Sequence, residues 1–180
     1  MTMQTKHAPG ARDPIWRALI WSGAAALLLL PWIAMQFSDE VVWTGSDFAV
    51  FGAMLLAACT ACEIAARASF DPFHRLVFGI AIGTGFLLVW INLAVGIIGS
   101  EHDSANLMFA GVLTLALVAS LVARLRPRGM ARAMTATAIA QALVAVIVLA
   151  MGLLKPFVLT ALFVVPWCVS AWLFARSARA

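Results

Sequence analysis

The chain has 180 residues, 64% hydrophobic and only 11% charged, with a formal charge of +4. A soluble domain carries roughly 25% charged residues and, at this size, buries only about two-thirds of the area its unfolded chain exposes, so a water-soluble fold is excluded. The mean hydropathy of +1.00 makes lipid the natural solvent. The basic residues sit in short connections between apolar runs, which argues for membrane orientation and against nucleic acid as a partner.

Residues 1–14 read as a disordered polar tail, and residues 15–180 as a single transmembrane helical domain. A spanning helix needs about 20 mostly apolar residues, because each rises 1.5 Å through a hydrocarbon core of roughly 30 Å. Six runs qualify: Ala18–Phe37, Phe48–Ala66, Leu76–Ile98, Leu107–Ala123, Ala133–Leu153 and Phe157–Ala175. The expected fold is therefore all-α, a six-helix bundle in three hairpins. Arg12 and Arg17 precede the first run as they would in a signal peptide, but the run ends in Ala34-Met35-Gln36-Phe37 with no small-x-small site. A retained helix is the expectation.

Charge sets the orientation. Lys6, Arg12, Arg17, Arg67, Arg75, Arg124, Arg126, Arg128, Arg132, Arg176 and Arg179 all fall on one side of a six-helix path, and Lys155 on the other. Basic connections stay in the cytoplasm, so both termini are expected there. The opposite side collects Asp39, Glu40, Asp47, Glu101 and Asp103. The first two hairpins look weakly alike, since Ser46–Leu55 can be laid on Ser104–Leu113 with a shift of one, a match that short apolar segments also reach by chance.

The first acidic turn runs Ser38-Asp39-Glu40-Val41-Val42-Trp43-Thr44-Gly45-Ser46-Asp47, and the second Gly99-Ser100-Glu101-His102-Asp103-Ser104-Ala105-Asn106. If they meet, their carboxylates, hydroxyls and amides can hold a divalent cation or a polar ligand. The spacing matches no calcium-loop template, and one histidine among carboxylates is a weak zinc signal. The simpler reading is capping: Asp47 before the second helix and Asn106 before the fourth would satisfy free backbone N–H groups. Asn92, in the outer half of the third run, cannot face lipid without leaving its amide unmet, so it faces protein or water. Gly85, Asn92, Gly96 and Gly99 share a helical stripe and are expected to pack closely against a neighbour. Asp39, Glu40, Asp47, Asn92, Glu101 and Asn106 together form the candidate polar or ion site.

Other residues favour structural roles. Glu63 and Arg67 stand four apart and can neutralise each other. Cys59-Thr60-Ala61-Cys62 has redox spacing, but it lies in the inner half of its helix, away from periplasmic substrates, so the thiols read as packing. Asn92→Leu is accordingly expected to harm folding more than Cys59→Ala or Cys62→Ala. His7, His74 and His102 fall in loops or tails, so no intramembrane pair clasps a haem. There is no P-loop, H-E-x-x-H or G-x-S-x-G. No cofactor and no catalytic residue is expected.

Trp90-Ile91-Asn92-Leu93-Ala94-Val95-Gly96-Ile97-Ile98-Gly99-Ser100-Glu101 followed by Ala105-Asn106-Leu107-Met108, with Ser38-Asp39-Glu40-Val41, Trp43-Thr44 and Ser46-Asp47-Phe48, resembles the signature of an uncharacterised family of small bacterial multi-pass inner-membrane proteins. Arg126-Pro127-Arg128-Gly129-Met130-Ala131 resembles its second cytoplasmic connection. The resemblance covers most of the chain from the first helix onward and implies topology but no activity. The chain departs from it at His102-Asp103-Ser104, where an Asp-Asn-Pro type of turn is implied. Three readings follow. The first is a non-enzymatic accessory protein whose partners are the bilayer and another membrane protein or a second copy. The second is a small transporter or cation-binding protein with an outer acidic mouth leading to Asn92, Gln141 and Thr137. The third is a membrane enzyme acting on lipid or quinone, with Asp47 and Glu101 as its ionisable pair.

Overall fold

The computed structural model describes residues 14–68, 72–100 and 103–179. They form seven α-helices: α1 (Pro14–Ala34), α2 (Gly45–Ala68), α3 (Pro72–Ala94), α4 (Leu107–Val122), α5 (Pro127–Ala150), α6 (Leu154–Leu162) and α7 (Val164–Ser177). No strand occurs among the described residues. Counting α6 and α7 as one segment, six helices are long and apolar enough to cross a membrane. The chain divides into two compact units, Met1–Cys59 and Thr60–Ala180.

Proline sets several starts. Pro14, Pro72 and Pro127 are the first residues of α1, α3 and α5, where a missing N–H costs nothing and the fixed φ already suits a helix. The expected runs at Ala18, Leu76 and Ala133 began later because apolar counting misses these polar first turns. Pro166 acts differently. It has no N–H to offer the Leu162 carbonyl four residues back, and the chain breaks between α6 and α7 at Phe163. Pro31 sits within α1 without ending it.

In the first unit, α1 and the start of α2 pair through small contacts. A Cβ added at Gly52 would meet Leu28 at 3.9 Å, and the Cys59 thiol lies 3.9 Å from the Ile20 carbonyl. Trp43 packs edge-on against Phe48 and Phe51, with centroids 5.2 and 5.4 Å apart.

The second unit is built around α5. Met130, Ala133, Met134, Thr137, Ala138, Gln141, Val144, Ala145 and Val148 are buried along it, spaced so that they share one face. It packs against α4, α6 and α7, while α3 packs on α4 and α7. One apolar cluster joins Ala65 of α2, Val77 and Phe78 of α3, Met130 and Ala133 of α5, and Phe174 of α7. A second joins Leu88, Ile98, Phe109, Val112, Val144, Val148 and Phe163 nearer the other end. At the first cluster the chain crosses tightly from α4 to α5. Arg124 and Leu125 take φ of 50° and 57°, and a Cβ on Gly129 would stand 2.8 Å from that of Ala123. Only glycine fits there. At the far end α5 closes with Gly152 at φ 78°, while Leu153 N–H donates to Val148 O and Gly152 N–H to Leu149 O. This pairing satisfies two orphan carbonyls before α6 begins.

Glu63 and Arg67 form the expected ion pair at 3.3 Å. Two expectations need correction. The third helix ends at Ala94, not Ile98, so Gly96 and Gly99 continue no helical stripe; both lie in the following turn at φ 73° and 63°. His74 lies in no loop: it is buried in the first turn of α3.

Candidate functional site

The turn between α3 and α4 is organised by one side chain. Asn106 is buried, and its amide pairs with the backbone N–H and C=O of one residue of the turn. Oδ1 accepts from Ile98 N–H at 2.9 Å, and Nδ2 donates to Ile98 O at 3.0 Å. The remaining Nδ2 hydrogen goes to Ser100 O at 2.7 Å. An asparagine amide has two donors, and both are used. Buried peptide groups need such partners where no helix supplies them. Asn92 Nδ2 donates to the Asn106 carbonyl at 3.4 Å, while Asn92 Oδ1 is buried with no hydrogen-bond partner.

The cap on this turn is Asp103, whose Oδ1 accepts from Ala105 N–H at 2.9 Å. The expectation that Asn106 caps α4 is thereby corrected: it makes no side-chain capping bond. The backbone explains the exchange. A short 3₁₀ turn, Ser104–Asn106, precedes α4 and moves the capping position back to Asp103. Gly99 brings the loop close beneath it, with a position for Cβ only 2.8 Å from Asp103 Oδ2. Glu101 and His102 lie outside the described residues.

The first acidic turn belongs to the other unit. Asp39 and Glu40 are exposed, and Glu40 N–H donates to Ser38 Oγ at 3.2 Å. Asp47 is the third residue of α2, not a residue before it. Its Oδ2 accepts from both the N–H and the hydroxyl of Thr44, each at 2.7 Å, and Asp47 N–H points back to Thr44 Oγ1 at 3.4 Å. That reciprocal pattern is a capping box with aspartate in the glutamate position. Among the described residues, no three His, Cys, Asp or Glu side chains gather in a group that could hold a metal ion.

Deeper in the second unit lie polar side chains of another kind. Gln141 is fully buried and donates from Nε2 to Thr160 O at 3.2 Å, leaving Oε1 without a partner. Thr137 and Thr160 are also fully buried and bond to carbonyls of their own helices. Trp167 Nε1 and Ser170 Oγ are buried without partners. Along the helices, the turns between Asn106 and Gln141 carry Leu88, Phe109, Val112 and Val144 of the second apolar cluster.

Sequence reasoning missed one contact. His74 and Ser177 meet, with Oγ 2.6 Å from Nδ1, and the imidazole lies against Phe78 and Phe174. This contact joins the start of α3 to the end of α7 across 103 positions, and no local pattern signals it. Trp167 packs inside the second unit, its Cη2 3.8 Å from a Cβ position on Gly85. The Gly85 position in the sequence was the available signal. No protein-family model, curated protein or solved structure matches the chain.

Proposed function

We propose that the protein is a multi-pass protein of the bacterial inner membrane that serves, without catalysis of its own, as an accessory or interaction partner of other membrane components. The observation that carries this reading is how the polar turns are used. Asn106, Asp103 and Asp47 are committed to the chain's own backbone and neighbouring hydroxyl, as expected of residues that build turns. Within its own unit α1 meets the start of α2 but has no buried residue, so the rest of its apolar surface is left for lipid or a protein neighbour. The bacterial setting rests on the resemblance described above. The cytoplasmic placement of both termini and the arrangement in three hairpins rest on the arginine distribution.

Affinity purification of the full chain from native membranes in mild detergent tests the reading. A stoichiometric membrane-protein partner is expected. A chain that purifies alone and retains a stoichiometric divalent cation would replace it with the cation-binding alternative. Labels at Gly129 and Gly45 in sealed vesicles should react from opposite compartments, and reaction from the same one would overturn the topology.

A small transporter is the second reading, favoured by the unpartnered Gln141 Oε1, Ser170 Oγ and Trp167 Nε1 within the second unit. Against it stand the apolar turns between Asn106 and Gln141.

A further inference from the structure

Between α5 and α7 runs an open groove of about 340 Å³. Thr135, Ile139 and Ala142 form one wall, and Val164, Cys168 and Ala171 the other. Its walls are almost wholly apolar, and small side chains on both helices keep it open. From Thr135 to Ala142 it extends roughly 10 Å at 1.5 Å per residue. In a hydrocarbon solvent such a groove alone selects nothing, since any acyl chain fills it equally well.

The ends of the two helices supply the selection. Arg128 and Arg132 precede Thr135, Ile139 and Ala142 at alternating steps of four and three residues, so all five share one stripe of α5. On α7, Val164, Cys168 and Ala171 lie on a stripe that runs on toward Arg179, and Arg176 lies nearby with its guanidinium 4.7 Å over the Trp172 ring. The start of α5 and the end of α7 meet in one apolar cluster, through Met130, Ala133 and Phe174. Arg124 and Arg126 stand in the adjoining turn, and all six of these arginines are exposed. Among the described residues that end of the unit carries one acid, Glu63, which Arg67 holds at 3.3 Å.

We infer that this face is a binding site for an anionic phospholipid, one acyl chain lying in the α5–α7 groove and the phosphate held by Arg128 and Arg132 with Arg176 or Arg179. Guanidinium groups bind phosphate oxygens through paired, charge-assisted hydrogen bonds. Basic pockets between helix ends are where anionic headgroups dock. A second copy of the chain fits less well, because copies inserted in the same direction bring arginine against arginine. The inference rests on the chain being a membrane protein but not on its being an accessory one.

Cys168, exposed in the groove wall, reports occupancy. The full chain in mild detergent is alkylated with a maleimide, and the Cys168 peptide is followed by mass spectrometry. Added phosphatidylglycerol is expected to slow the reaction severalfold, and phosphatidylcholine to slow it little. Arg128→Gln with Arg132→Gln should erase that difference, whereas Lys155→Gln, at the far end of the unit, should keep it. Ala142→Leu, which fills the groove but spares the arginines, should slow labelling without lipid and make it insensitive to phosphatidylglycerol. Equal protection by phosphatidylcholine would overturn the site, as would full protection by inorganic phosphate alone. Protection that needs no lipid and grows with protein concentration would assign the groove to a second copy and overturn it too.

Discussion

The two acidic turns have similar compositions, yet they are held by different physics. The turn before α2 is exposed and closes on itself, with every side-chain bond of Asp47 going to Thr44, three residues away. The turn before α4 is stitched from inside, where a buried Asn106 spans eight residues to Ile98 and six to Ser100. Water can replace the bonds of the first turn if they are lost. It cannot readily reach those of the second, where an unmet peptide group carries its full desolvation penalty. Similar strings of Ser, Asp and Asn therefore give a replaceable cap in one place and a structural clasp in the other.

The largest effect that this contrast predicts belongs to Asn106→Leu. It removes the partners of Ile98 N–H, Ile98 O and Ser100 O while keeping the volume, and should cost on the order of 3 kcal/mol. Asn92→Leu should cost clearly less, because it loses only a 3.4 Å bond and also removes a buried oxygen that has no partner. It should still exceed Cys59→Ala and Cys62→Ala. Thermal unfolding of the purified variants in one detergent ranks all four. If Asn92→Leu proved the most damaging, the clasp would centre on the helix and not on the turn.

Glycines sharpen the same comparison. Gly99 holds φ 63°, and an added Cβ would stand 2.8 Å from Asp103 Oδ2, so Gly99→Ala should cost about 1–2 kcal/mol through backbone strain. Gly45 begins α2 with nothing within 4 Å of a Cβ. There alanine should stabilise by about 0.5 kcal/mol, because it narrows the unfolded ensemble. Melting temperatures should move in opposite directions. Movement in the same direction would show that the two turns are constrained alike.

Much of the fold was legible because lipid imposes a length: each of the six expected runs overlaps a helical segment of the structure. The ends were less legible. Hydropathy marks where a helix becomes apolar, whereas Pro14, Pro72 and Pro127 mark where it begins. The early end of α3 depended on Gly96 and Gly99 taking left-handed conformations, which a continuous apolar run through Ile97 and Ile98 hides. The polar character of Asn106 was visible, but its partners were not. The Asn106 bonds to Ile98 need a turn that only tertiary packing creates, and the His74–Ser177 contact needs two helices brought together.

The smallest expected effect falls on Asp47. Its carboxylate is exposed, and it answers donors on a single residue, Thr44. Asp47→Ala frees one backbone N–H and one hydroxyl, both within reach of water, and weakens the favourable placement of negative charge at a helix start. Asp47→Asn keeps an acceptor and loses only the charge. The alanine variant should therefore lower the melting temperature by less than Gly99→Ala does, and the asparagine variant should recover most of that loss, more completely at high salt. A drop as large as that of Asn106→Leu would mean that the carboxylate is engaged by something beyond its own turn. The first acidic loop would then have to be reconsidered as a ligand site.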